Sequence, residues 1–350
     1  MHEVLVRADD SYSASVLLPD ISLSAAALGD RKMIKEFRTW PRGRGTIRSG
    51  GTDPRRHPGL DRADLKPGPE LHDAARASAR EVSAALDEPY PLTDDAVRFF
   101  HRHGYVRLPA VLPPAVIAAL AARAHHMLES AYGRDNPGRF LAREQLWLTD
   151  PMLRDVALSR RLGDIAARLL RVEAVRLYHD NILSKEPGCG RTPWHRDSDH
   201  YPLDSPAVVT SWVPLHDIPT EMGPLACLAR QLTPAALHAL PASPQERSYD
   251  EHVAGGLRAA GVVPDASPFA LGEVSFHAAD CFHTAGANLT AVPRRVLSST
   301  YYADGTRITA RHTMLSGSWT EFVPGVEPGA PAASALNPIV GLGNRPPSAY

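Results

Sequence analysis

The chain has 350 residues, 43% apolar and 22% charged, enough for a sizeable core in one large domain or two ordinary ones. A formal net charge of −1 leaves no footprint for nucleic acid, and no apolar run approaches the roughly 20 residues of a membrane span. The opening MHEVLVRADDSYS carries acids where a secretory leader needs cations. Cys189, Cys227 and Cys281 lack the spacing of a zinc site or disulfide framework, so a cytoplasmic protein is expected.

Residues 1–69 include TWPRGRGTIRSGGTDPRRHPG, rich in Gly, Pro and Arg and without apolar period, which predicts a flexible extension. A basic nucleic-acid arm is the less favoured reading, and Met33 leaves a later start open. A lead-in helix is expected within 70–89, from ELHDAARASAREVSAAL. LTDDAVRFFHRHG then predicts a helix capped by Thr93 and stopped by Gly104, followed by the strand YVRLPAV. PPAVIAALAARAHHMLESAY reads as an amphipathic helix opened by proline, and SRRLGDIAARLL as another capped by Ser159. His125 and His126 fall on neighbouring helical faces, which argues against a metal role.

After Val172 the pattern changes to short strands. VRLYHDNILSK, AVVTSWVPLHDI, GPLACLARQ, GEVSFHAA and RRVLSSTYYAD are rich in β-branched and aromatic residues. Helices first and strands afterwards predict an α+β protein built on an antiparallel double-sheet barrel. The segment of about 233–268 reads as an insertion of the kind that covers an active site. Residues 321–350 are expected as a C-terminal tail.

TPWHRDSDHY places His195 and Asp197 two apart, so on an extended chain both side chains face one point. A metal needs a further ligand, from His216, His238, His252, His277 or His283. His277 and His283 bound HAADCFH. Two imidazoles and one carboxylate leave positions open on a non-haem Fe(II), although zinc accepts the same ligands.

On these residues the chain resembles the phytanoyl-CoA dioxygenase family of Fe(II)/2-oxoglutarate oxygenases over about residues 90–310. WHRD is similar to the family's His-x-Asp. VVTSWVPLHDIPTEMGPL is similar to its central strand and turn. GEVSFHAADCFHTAGANLTAVPRRVLSSTYYADG is similar to its distal histidine, Gly-x-Asn turn and closing arginine strand, and LTDDAVRFFHRHGYVRLPAVLPPAVIAAL to its opening. The resemblance implies a double-stranded β-helix (a jelly-roll, cupin-like fold) with supporting N-terminal helices. It also implies an oxygenase domain over 90–320.

Carried over by position, the iron ligands are His195, Asp197 and His283, leaving His277 structural or supporting. Arg294 holds the distal carboxylate of 2-oxoglutarate, Arg295 faces outward, and Asn181 and Trp212 are further co-substrate contacts. The implied cofactors are Fe(II), 2-oxoglutarate and O2, and the implied reaction is hydroxylation of a small organic molecule, a natural-product tailoring step. Related halogenases lack the carboxylate that Asp197 supplies.

The chain departs from the family pattern in three places. GPLACLARQ replaces a Gly-Ser-His turn. Ala285 stands where a small hydroxyl is common, so Thr284 or water is the expected substitute. No coenzyme-A-binding feature is present. Gln145 and Trp147 are the candidate substrate-side residues. The rival readings are a cupin-like zinc or iron enzyme that uses no 2-oxoglutarate, and a non-catalytic binding module on the same scaffold.

Overall fold

Helices begin where a side chain can cap them. The structure is a computed structural model and describes residues 12–14, 35–37, 79–238, 247–309 and 319–343. Thr93 accepts from the Ala96 N–H to open the helix Asp94–His103, and Gly104 closes it in the left-handed region (φ 83°). Ser159 caps Arg160–Leu170 in the same way, and Asp150 caps Pro151–Ala157. Proline opens the long helix Pro114–Tyr132. The lead-in helix is Ala79–Asp87. Two short strands, β1 (Tyr12–Ala14) and β2 (Lys35–Phe37), pair antiparallel, and the remainder of the expected 1–69 extension lies outside the described residues.

The remaining strands are β3 (Tyr105–Leu108), β4 (Phe140–Glu144), β5 (Ala174–Lys185), β6 (Thr192–His195), β7 (Val208–Pro214), β8 (Leu225–Cys227), β9 (Val274–Ala278), β10 (His283–Ala285), β11 (Arg294–Ala303) and β12 (Ile339–Leu342). They form two antiparallel sheets. The major sheet has the order β12-β5-β11-β7-β9-β3, with β4 also on β5, and the minor sheet runs β6-β10-β8. The expected double-sheet α+β architecture is therefore present. The segment expected as a C-terminal tail instead returns: β12 pairs with residues 174–176 of β5, and Phe322 and Val323 are buried. Its apolar content is too short and irregular to declare a strand, and the edge of β5 together with the helix Arg160–Leu170 orders it.

Period-2 alternation divides the major sheet into two faces. On one, Val209, Val213, Phe276, Leu297 and Tyr301 pack with Ile117, Leu120, Ile165 and Leu169 of the helices. On the other, Trp212 and Val296 meet Leu225 and Cys227 of the minor sheet and Cys281 just before β10. The rest of this inner face is polar yet buried: His179, Asn181, Thr210, Ser275, His277, Ser298 and Thr300. Burying such groups is unfavourable unless they find partners, which marks the face as the place to look for chemistry.

Two local devices hold the scaffold. Within the expected insertion, the helix Arg247–Ala259 lays Tyr249, Val253 and Leu257 on Trp194, Leu228 and Phe282. Its Asp250 accepts from the Trp194 N–H at 2.8 Å and pairs with Arg191, tying the helix to β6. On the opposite side, Gly163 lets the helix Arg160–Leu170 touch β12 at Gly341. A methyl added at Gly163 would meet the Gly341 nitrogen at 2.8 Å, and one added at Gly341 would meet the Gly163 carbonyl. Because both obstacles are backbone, Gly341→Ala is expected to destabilise by about 1–3 kcal/mol or more, read as a lower midpoint in urea.

Candidate metal centre

β6 and β10 are adjacent in the minor sheet, with His195 directly opposite His283. Their rings lie 4.0 Å apart between centroids. The strand ends at His195, and Asp197 opens a short 3-10 turn, but Arg196 between them stays extended (φ −121°, ψ 137°). Two-residue alternation therefore survives past the strand and turns Asp197 toward the same point. One ligating atom from each of His195, Asp197 and His283 lies within 4.8 Å of the others.

Both imidazoles are set for ligation. His195 Nδ1 bonds the Pro193 carbonyl at 2.9 Å, and His283 Nδ1 bonds the Cys281 carbonyl at 3.0 Å. A carbonyl only accepts, so Nδ1 carries the proton and Nε2 keeps its lone pair. Burial, then His283, pushes His195 down to about 3, and burial pushes His283 down to about 4 against the pull of Asp197. Burial would raise the Asp197 carboxyl, but His283 and the hydrogen bond from His277 hold it well below its ordinary value. Neutral imidazoles and a carboxylate with open positions suit Fe(II).

His277, on β9, sits on Asp197 from the other side. Its Nε2 donates to Asp197 Oδ2 at 3.2 Å, and Thr210 Oγ1 donates to the same oxygen at 2.7 Å, while Oδ1 faces His283 Nε2 at 3.6 Å. Two donors on Oδ2 leave Oδ1 for a metal. His277→Ala and Thr210→Val are each expected to weaken Fe(II) binding by about 10–100-fold, measured by titration under anaerobic conditions.

The other candidate ligands lie elsewhere. His216 Nε2 accepts from the Arg295 N–H at 2.9 Å, and its Nδ1 bonds the Asp217 carbonyl. His252 is exposed, and the side chain of His238 lies outside the described residues. His125 and His126 are exposed on their helix, His125 3.6 Å from Glu129.

Behind the centre, Asn181, Ser298 and Trp212 stand opposite one another across β5, β11 and β7. Asn181 is buried, and its Oδ1 has no hydrogen-bond partner. Arg294 is 2% exposed, donates to the Gly223 carbonyl at 3.1 Å and lies 5.4 Å over the Trp212 ring. Gly223 is in the left-handed region (φ 73°), where a side chain would strike the Gly286 carbonyl, so only glycine delivers that carbonyl to Arg294. Arg295, on the other face, is half-buried; burial lowers its pKa, and the charges of Glu186 and then Glu129 oppose that.

Lys185 escaped the sequence reading. It is opposite Arg294, fully buried, and donates to the carbonyls of Gly190 (2.8 Å), Gly286 (2.7 Å) and Ala285 (3.3 Å). Burial, then Arg294, holds its ammonium well below the usual lysine range. A lysine ending the run VRLYHDNILSK was the one available signal.

Two weaker expectations are corrected by what these side chains touch. The Thr284 hydroxyl donates to the Thr192 carbonyl and accepts from Arg191 at 3.2 Å, so it does not replace the hydroxyl missing at Ala285. Gln145 donates to the Glu321 carbonyl at 3.0 Å, and Trp147 packs in the core between the sheet and the helices. Both side chains are engaged at the 3-10 turn Leu146–Leu148.

Comparisons with known proteins agree with this geometry. The profile of the phytanoyl-CoA dioxygenase (PhyH) family matches residues 100–296. No curated protein sequence matches the chain. Among solved structures, the non-haem α-ketoglutarate-dependent carbocyclase SnoK from nogalamycin biosynthesis aligns with a TM-score of 0.60 and 27% identity, over 72% of this chain and 99% of its own. The epimerase SnoN, solved with Fe3+, α-ketoglutarate and nogalamycin RO, gives 0.56 and 24%, over 73% and 99%. EctD from S. alaskensis with bound Fe gives 0.53 and 20%, over 69% and 89%. The last two are likenesses of fold.

Proposed function

The chain belongs to the phytanoyl-CoA dioxygenase (PhyH) family of Fe(II)/2-oxoglutarate-dependent oxygenases, and from that premise we propose that it hydroxylates a small organic molecule in natural-product tailoring. The observation that carries the reading is the convergence of His195, Asp197 and His283 in front of a buried Arg294. The donor set fits Fe(II), and the unpartnered Asn181 Oδ1, the Trp212 ring and the Arg294 guanidinium fit a small dicarboxylate lying behind it. Resemblance in overall fold to SnoK supports the same pair of cofactors.

When bound, Fe(II) and 2-oxoglutarate supply oxidative decarboxylation coupled to activation of O2 for C–H oxidation. The protein's part is positional. His195 and His283 offer fixed Nε2 lone pairs, and His277 with Thr210 keeps Asp197 from rotating. Arg294 would hold the far carboxylate, and the apolar residues Val296, Leu225 and Cys227 would exclude water from that end.

The 27% identity to a carbocyclase favours a second reading, ring closure from the same C–H oxidation. Following succinate release and product mass over a panel of secondary metabolites separates the readings. Hydroxylation adds one oxygen atom, whereas ring closure removes two hydrogen atoms. Substrate-dependent product without succinate would refute the 2-oxoglutarate reading.

A further inference from the structure

Lys185 is a fully buried cation that the proposed chemistry leaves without a task. It ends β5 on the inner face, in line with His179, Asn181 and Leu183 at two-residue spacing. Burying a lysine is costly, and lysines are rarely found there unless paired.

Its hydrogen bonds answer only part of that cost. The side chain donates to the carbonyls of Gly190 at 2.8 Å, Gly286 at 2.7 Å and Ala285 at 3.3 Å. Three acceptors around one nitrogen call for three N–H groups, which the ammonium has and the neutral amine lacks. The charge itself goes unanswered. The groups that act on it are Arg294 and Arg191, which oppose it, and the Cys189 thiol; no carboxylate is among them. Burial, then Arg294, depress its affinity for the proton, as expected of a site short of negative charge.

Two cations therefore stand side by side. Lys185 and Arg294 are directly opposite across β5 and β11, where Cβ atoms lie about 5 Å apart. Both are fastened to one close contact between glycines. Arg294 donates to the Gly223 carbonyl at 3.1 Å, Lys185 to that of Gly286, and a methyl added at Gly223 would strike the Gly286 carbonyl. Like charges this close repel in a desolvated site, so an anion beside them is attracted by both.

We propose that Lys185 is a positioning residue for the co-substrate, its fixed charge adding to that of Arg294 in selecting an acid with a second, far carboxylate. Arg294 supplies the hydrogen bonds to that group. Lys185 has its own engaged on carbonyls and acts by charge, which needs no contact. This inference rests on the 2-oxoglutarate reading of the site and deepens it by assigning a second residue to co-substrate selection. The rival role is mechanical. Gly190 precedes β6 and Ala285 ends β10, so the same bonds tie together the strands that carry His195 and His283. A pin of that kind acts on metal binding and is blind to the charge at the far end of the co-substrate.

The test uses the full chain loaded anaerobically with Fe(II) and titrated with 2-oxoglutarate or with 2-oxopentanoate, which lacks only the far carboxylate. The absorption band of a 2-oxo acid on Fe(II) reports binding without turnover. The wild-type protein is expected to prefer 2-oxoglutarate by at least about a hundredfold. Lys185→Met should cut that preference by about tenfold or more, while 2-oxopentanoate and Fe(II) bind as before. Lys185→Gln keeps N–H donors for the carbonyls without the charge, and should show the same loss. An undiminished preference in either variant overturns the proposal. Equal loss for both acids, or loss of Fe(II) binding, also overturns it and assigns Lys185 the role of a strand pin. If neither variant folds, Arg294→Ala decides: a residual preference of about tenfold is expected from Lys185, and none overturns the proposal. A wild-type protein that binds neither acid, or both alike, is a different result and overturns the 2-oxoglutarate reading itself.

Discussion

Replacing His283 by alanine is expected to abolish both stable Fe(II) binding and turnover, and His195→Ala and Asp197→Ala should do the same. Each supplies one of three atoms that lie within 4.8 Å of one another, the one such group among the described residues. His277 is near enough to invite the question, with its ring 4.5 Å from that of His283. Its Nε2, however, lies 3.2 Å from Asp197 Oδ2, so on the proposed reading it would act on the ligand and not as one. Iron content after anaerobic reconstitution and gel filtration measures the outcome. A His283→Ala protein with near-native iron would transfer the ligand role to His277.

The same ligands set the acid limit. Their imidazoles are pushed to about 3 and about 4, below the ordinary 6.5, so protons compete for the lone pairs only in acid. Fe(II) affinity should change little between about pH 7 and about pH 5 and fall as pH approaches 4. A fall centred near 6.5 would contradict the burial described for this site.

The second large effect separates Arg294 from Arg295. Alternation along β11 sends them to opposite faces, with Arg294 buried against Trp212 and Gly223 and Arg295 toward Glu186 and Glu129. If Arg294 holds the far carboxylate of 2-oxoglutarate as proposed, losing the buried guanidinium would strand that carboxylate in a desolvated site, at a cost of roughly 3–5 kcal/mol, or a hundredfold or more in affinity. Arg294→Ala should raise the 2-oxoglutarate requirement by at least about that factor. Arg294→Lys should recover part of it, because a point charge cannot reproduce the fork, and Arg295→Ala should stay close to wild type. Succinate release against 2-oxoglutarate concentration gives the answer. Equal, small effects in both alanine variants would favour a cupin-like enzyme that uses no 2-oxoglutarate. A Lys185→Met control reports on the neighbouring cation, whose hydrogen bonds go to backbone carbonyls.

Capping and periodicity made much of the fold readable. Thr93, Ser159 and Gly104 mark helix ends because the groups they satisfy lie within a few residues. The strands of β5, β7 and β11 declare themselves by β-branched and aromatic content. β4, β10 and β12 are too short for a pattern to accumulate, and they exist because a neighbouring strand offers hydrogen bonds.

For the site, the sequence by itself determined the inventory. His-x-Asp, the two histidines of HAADCFH and the adjacent arginines are all visible, and alternation, a property of neighbouring residues, separates Arg294 from Arg295. Tertiary structure decided the rest. The register that sets His283 opposite His195, the hydrogen bond that diverts His277 to Asp197 and the burial of Lys185 beside Arg294 all join distant segments. Which residues stand opposite one another across a sheet depends on backbone hydrogen bonds between strands, and the hydrophobic period within one strand is the same for every register that keeps its faces.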